Sequence, residues 1–332
     1  MRSIRLPATD RRIRHRATLL SLLLLAAVSV RAGETAELST VLVDEARDRE
    51  VPVRIVYPTE LTGPRPVALI SHGLGGNTEA MEYLGTYLAE GGWVAVHMQH
   101  RGSDASVWEG HSGRAARRAL RASLADVSNA IARFEDPAFV LDALAELQDG
   151  DGPIAGRLDL GHVGFAGHSY GARGALVIAG ERIGPLAASF RDPRVDAVVA
   201  LSPSLPRYGE PDYGDVEVPV LHVTGTEDGD PLAQGDGFDP DQRIEPFRRI
   251  EGVEQYLLVL DDADHSTFSG RRLDSRREKP LDRRHTALVV EATRLFLETT
   301  VRGHAGSRTR LIEAFPTLLA DGDRWAHRPA EE

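Results

Sequence analysis

Short apolar runs alternate along this chain with longer stretches of helical spacing. Runs at 39–45, 51–57, 67–71, 94–98, 162–166, 195–201, 218–223 and 255–260 are rich in Val, Leu, Ile and Ala and are bounded by turn-forming or acidic residues, the pattern of buried strands. Between the later runs, segments such as 80–91 and 286–300 carry apolar residues three and four apart, which makes a helix with one buried face. This alternation predicts an α/β fold: a mostly parallel, eight-stranded, doubly wound sheet whose first two strands form an antiparallel lead-in. The connection over 99–161 is longer than one crossover helix needs. It predicts two helices, 114–133 and 136–147, with part of the insertion capping one side of a cleft. The connection over 202–217 is short, so no large lid is expected there.

Composition adds outer limits. With 332 residues, 42% of them hydrophobic, the chain can bury a sizeable core, and one domain over 33–303 accounts for the strand and helix pattern. Residues 304–332 are mixed and polar, and read as a peripheral helix followed by a loose tail. At the other end, Arg2, Arg5, Arg11, Arg12, Arg14 and Arg16 precede an uncharged run over 17–30, and Val30 and Ala32 supply the small residues of a cleavage site. This is the pattern of a signal peptide over 1–32, cleaved after Ala32, in a secreted or periplasmic protein. The run is too short for a stable membrane anchor. Arg11-Arg12 invites a twin-arginine reading, but the residues flanking it fit that motif poorly. With no cysteine, neither a disulfide nor a lipoprotein attachment is available.

The formal charge of −11 becomes more acidic without the leader. Residues 1–32 hold seven Arg and one Asp, so the remainder keeps 32 basic and 49 acidic residues, a net of −17. That balance argues against nucleic acid or an anionic membrane as partner and suits neutral or cationic substrates.

One stretch carries the chemistry. Gly167-His168-Ser169-Tyr170-Gly171 fits the G-x-S-x-G pattern and lies where the run at 162–166 gives way to a helical segment at 172–179. Flanking glycines permit a sharp turn that lifts the serine hydroxyl above a sheet, and the helix start behind it offers N–H groups to a developing oxyanion. Ser169 is therefore the candidate nucleophile. Upstream, the run at 66–71 ends in His72-Gly73-Leu74-Gly75-Gly76, where the Leu74 N–H can join that of Tyr170 in an oxyanion hole. Downstream, the run at 219–224 leads into Glu227, Asp228 and Asp230, of which Asp228 is best placed to orient an imidazole, with the other two as substitutes. The last strand leads to His265, the candidate general base.

Other residues have plainer readings. Asp228, Asp230, Asp236, Asp239 and Asp241 crowd one loop, but their spacing does not match an EF-hand, and no metal is expected. His97 reads as a core histidine, and a metal shared with His100 is not expected. His72 and His168 are expected to orient backbone. Trp108 and Tyr208 lie in segments that can reach the cleft as a stacking wall or serve as packing.

The order Ser169, Asp228, His265 is that of an α/β-hydrolase triad. On Ser71-His72-Gly73-Leu74-Gly75-Gly76, His100-Arg101-Gly102-Ser103-Asp104, the Ser169 pentapeptide and the 264–270 segment, the chain from about 38 to 303 resembles the α/β-hydrolase superfamily. Within it, the chain is similar to a bacterial secreted branch of platelet-activating-factor acetylhydrolase-like, predicted dienelactone hydrolase-like and cutinase-like polyester hydrolases. Two departures narrow the match. Dienelactone hydrolases proper use a cysteine nucleophile, which this chain lacks, and animal platelet-activating-factor acetylhydrolases carry their acid one strand earlier, where this chain reads Ala200-Leu201-Ser202-Pro203. The resemblance implies a cofactor-free serine esterase acting on a small or polymeric carboxylic ester. Polyester hydrolase or lipase activity, then serine peptidase or amidase activity, are the enzymatic alternatives, and a catalytically inactive binding module the non-enzymatic one.

Overall fold

The computed structural model describes residues 27–30, 35–60, 62–183, 190–203, 209–232, 239–271 and 279–331. Its strands in chain order are β1 (Ala27–Val30), β2 (Thr35–Asp44), β3 (Arg49–Pro58), β4 (Arg65–Ser71), β5 (Val94–Met98), β6 (Leu158–His168), β7 (Arg182–Ile183), β8 (Ala197–Leu201), β9 (Pro211–Asp212), β10 (Val220–Glu227), β11 (Gln255–Asp264) and β12 (Arg324–Arg328). All but β7 and β9, which form a small ribbon, join one sheet in the order β1-β2-β3-β5-β4-β6-β8-β10-β11-β12. The six neighbours from β5 to β11 run parallel, while β1, β2, β3 and β12 are antiparallel additions at the two edges.

The helices are α1 (Glu82–Glu90), α2 (Gly113–Ala125), α3 (Val127–Asp149), α4 (Tyr170–Ala179), α5 (Glu245–Arg249), α6 (Asp282–Thr300) and α7 (Ala305–Thr309). They cover both faces of the sheet. On β4, Val67 and Leu69 join a core with Val140, Leu144, Ala172 and Leu176 of α3 and α4, while Ala68 and Ile70 join a second core with Leu84, Leu88, Leu288 and Phe296 of α1 and α6. Alternate residues of one strand thus feed two cores, which is why the central runs read as continuously apolar. Each fully buried aliphatic or Phe side chain contributes roughly 1.5–3 kcal/mol.

Three differences from the sequence reading have physical causes. The sheet has ten strands among the described residues, not eight, because β1 and β12 add to its edges. β12 reads Arg-Trp-Ala-His-Arg and has no fully buried residue, so no apolar run announces it. Residues 304–332 are correspondingly less loose than expected: Leu311 and Phe315 are buried in the core beneath α6, and β12 pairs with β11 from Gln255↔Arg328 to Val259↔Arg324. β1 falls within the expected leader and pairs with β2, whereas the cleavage site at Ala32 lies outside the described residues. Removal of the leader would take β1 with it.

The helical insertion also divides elsewhere. α3 begins at Val127, where the Asp126 side chain caps it by accepting from Ser128 N at 2.9 Å, and it continues through Pro137 without a break. The expected boundary near 134–135 is therefore absent. α3 is the crossover helix, packed on the sheet, and α2 is the extra piece, lying toward the strand C-terminal ends. Among the described residues no helix is long and apolar enough to cross a membrane.

Candidate active site

Ser169 sits between β6 and α4 with φ 57° and ψ −110°, a conformation that costs a non-glycine residue strain. Close packing on both sides enforces it. A Cβ on Gly167 would lie 2.1 Å from Gly171 O, and one on Gly171 would lie 2.0 Å from Ser71 O, so backbone meets backbone on each side of the serine. Ser169 N donates to Leu201 O at 2.9 Å, which ties the turn to the end of β8.

His265 and Asp228 converge on this turn from the ends of β11 and β10. His265 Nε2 is 3.0 Å from Ser169 Oγ, and His265 Nδ1 is 2.9 Å from Asp228 Oδ1. All three side chains of the expected triad are thus joined by hydrogen bonds. Of the two substitutes, Glu227 is exposed at the end of β10, and Asp230 Oδ1 accepts from Leu232 N at 2.8 Å. The backbone that carries His265 is held as well. His168 Nε2 donates to His265 O at 3.0 Å, and Asp264 Oδ1 shapes the loop by accepting from Ser266 N at 2.9 Å and Thr267 N at 3.3 Å. Burial, then the charge of His265, pushes the His168 imidazole well below its ordinary range, so it stays neutral and keeps this role.

Asp228 is fully buried, and three further residues compensate its charge. Thr224 Oγ1 donates to Oδ2 at 2.7 Å, Ser202 Oγ donates to Oδ1 at 2.8 Å, and Arg243 Nε lies 2.9 Å from Oδ1. Burial by itself would raise this carboxyl; the His265 hydrogen bond, the Arg243 charge and Ser202 outweigh it and hold the group below the usual carboxylate range. Arg243 also donates to Asp228 O at 2.7 Å, Gly229 O at 2.8 Å and Pro203 O at 2.9 Å, clamping the loops after β8 and β10 together.

Ser202 and Arg243 were not singled out from sequence. Ser202 Oγ lies 2.7 Å from His265 Nδ1 as well as beside Asp228, so it sits within the acid–base pair. Its signal is positional: a polar residue ending an otherwise apolar buried strand next to the acid strand. Arg243 is the first cation after the Asp-rich stretch compared with an EF-hand. Among the described residues, no group of three or more His, Asp or Glu is arranged to hold a metal, and Asp236 lies outside them.

The loop after β4 lies against the serine: a Cβ on Gly73 would be 3.3 Å from Ser169 Cβ and 3.1 Å from His168 Nδ1. Leu74 follows Gly73 in this loop, and Tyr170 is the first residue of α4, where an N–H has no acceptor within the helix. The loop is stitched by Gly75 N to Ser103 O at 2.8 Å and Ala105 N to Gly76 O at 2.8 Å. His72 bridges it, with Nδ1 donating to Gly73 O at 2.6 Å and Nε2 accepting from His100 N at 3.1 Å.

Beneath this loop lies a second Ser–His–Asp string. Ser71 Oγ is 2.9 Å from His100 Nε2, and His100 Nδ1 is 2.9 Å from Asp136 Oδ2. All three are buried, so the string has no access to substrate. Arg133, also buried, donates to Ser71 Oγ at 3.0 Å, to Ser103 Oγ at 2.8 Å and to His72 O, and stacks over the Tyr170 ring at 4.6 Å. Burial lowers His100 to about 4 and Arg133 to about 10. The network therefore holds a neutral imidazole and a guanidinium under the Leu74 loop. His97 is buried with Nδ1 3.1 Å from Ala80 O, as a core histidine should be. Trp108 Nε1 donates to Gly75 O at 2.9 Å at the rim of the loop, and Tyr208 lies outside the described residues. No protein-family model matches the chain, and no curated protein matches it.

Proposed function

We propose that this chain has the α/β-hydrolase fold and is an exported serine hydrolase that cleaves carboxylic esters, either small or polymeric. The observation that carries the reading is the continuous hydrogen-bonded string from Ser169 through His265 to Asp228, with the serine on a strained strand-to-helix turn. In the proposed reaction His265 Nε2 takes the Ser169 proton as Oγ attacks the ester carbonyl, and Asp228 keeps the imidazole in the tautomer that accepts it. The N–H groups of Leu74 and Tyr170 receive the oxyanion. His265 then protonates the leaving alkoxide, and water enters by the same base to release the acid from the acyl-enzyme.

The test combines a fluorophosphonate probe with a series of p-nitrophenyl esters. The wild-type chain should be labelled at Ser169 and turn over esters, and Ser169→Ala should lose labelling and lower turnover by roughly a thousandfold or more while melting at the same temperature. Labelling at another serine, or turnover surviving in Ser169→Ala, would overturn the assignment.

A further inference from the structure

The protein is strongly acidic, yet α2 carries Arg114, Arg117, Arg118 and Arg121 and no acidic residue. Their spacing of three, one and three residues puts all four on one flank of the helix. Arg114, Arg117 and Arg118 are exposed, and among the described residues none of the three has an ion-pair partner.

Packing fixes where that flank lies. The neighbouring face of α2 rests on the oxyanion loop and the start of α4: Leu120 Cδ2 would be 2.8 Å from a Cβ on Gly75, and Leu124 shares an apolar cluster with Tyr170, Leu74 and Leu232. Arg121 then reaches across to the far side, its Nη2 donating to Leu232 O at 2.7 Å on the loop that follows Asp228. α2, and the arginine flank with it, is therefore anchored to both the Leu74 loop and the loop that follows Asp228. Arg271 adds a further cation beside the Leu74 loop, with Nη2 3.0 Å from Gly75 O. A cluster of cations on an acidic body attracts anions locally while the rest of the surface repels them.

We infer that the arginine flank of α2 selects esters that carry a carboxylate away from the scissile bond, such as monoesters of dicarboxylic acids. The inference rests on the proposed esterase reading and narrows its substrate class. At a rise of about 1.5 Å per residue, Arg117 and Arg114 stand roughly 6 and 10 Å along the helix from Arg121, so the flank offers cations at graded distances from the point where Arg121 meets the loop after Asp228. It also reverses the expectation, drawn from net charge alone, that neutral or cationic substrates fit best.

The experiment compares p-nitrophenyl monoesters of succinate and adipate with chain-matched neutral esters, at low and high ionic strength, in the wild-type chain and in Arg114→Gln/Arg117→Gln/Arg118→Gln. The expected result is a kcat/KM preference of roughly tenfold or more for the anionic esters at low salt. It should shrink as the screening length falls from ~10 Å to ~3 Å. The triple variant should lose it and keep neutral-ester turnover. If neutral esters are hydrolysed but the anionic ones gain nothing, or if the preference survives both salt and the triple variant, the inference fails while the esterase reading stands. If no ester of either kind is turned over, both fail.

Discussion

Two strand ends reach the same imidazole nitrogen. Ser202 Oγ and Asp228 Oδ1 lie 2.7 and 2.9 Å from His265 Nδ1. A carboxylate grafted onto the first position should therefore do part of the work of the second. Asp228→Asn keeps the shape but presents the wrong hydrogen-bonding group, and a loss of ~10⁴ in kcat is expected, equivalent to about 5.4 kcal/mol. Adding Ser202→Asp restores one hydrogen bond to a charged group, worth about 1.5–3 kcal/mol, so the double variant should regain roughly 10- to 100-fold over Asp228→Asn. The backbone at 202, at φ 52°, suits Asp better than most residues, and the Arg243 guanidinium already lies beside it. Ser202→Asp alone should do harm, because two carboxylates crowd one site and one of them must take a proton. The assay is single-turnover acylation with a p-nitrophenyl ester, alongside urea melts. A double variant that folds yet is no faster than Asp228→Asn would refute the claim that the two positions address one nitrogen.

Two further outcomes follow from packing and titration. Gly171→Ala must push a methyl group into Ser71 O, where no side chain can rotate away, so it should yield little folded protein, measured as soluble expression and melting temperature. Buried His97 and His100 are both lowered to about 4, so as pH falls below 6.5 the unfolded chain takes up protons that the native one refuses. Stability should fall between pH 6.5 and 4 by about 3 kcal/mol per histidine and level off below that for these groups. Asp228 carries the same sign in a lower window: its depressed carboxyl keeps its contribution above the unfolded value and gives it up only at more acidic pH. Urea-unfolding free energies that stay flat from pH 6.5 to 4 would contradict the histidine assignment.

The triad residues were legible because each ends an apolar run at the same edge of a parallel sheet, and the hydrophobic pattern shows both the runs and their ends. Asp228 could be preferred over Glu227 and Asp230 by its place after the strand, and the structure buries it while leaving Glu227 exposed. What stayed hidden depends on neighbours that the pattern does not report. Ser202 matters only because β8 lies beside β10, a fact of strand order. β12 was missed because an edge strand with charged ends buries too little to leave a period. The helix boundary at Asp126 was overlooked because a capping side chain competes with continuous helical spacing, and here the cap decided.

The position of β12 bears on the order in which the molecule becomes competent. Every residue of the triad is synthesised before Arg324, yet β11, the strand that delivers His265, lacks its outer neighbour until residues 324–328 arrive. Asp323, just ahead of them, takes Asp261 N at 2.9 Å and pairs with Arg284, pinning the stretch of β11 from which the His265 loop departs. A chain arrested or clipped before this point keeps all three triad side chains but leaves β11 with an open edge. Arrival of residues 324–328, rather than of the last of the three candidate side chains, is then what closes the edge of the strand on which the His265 loop rests.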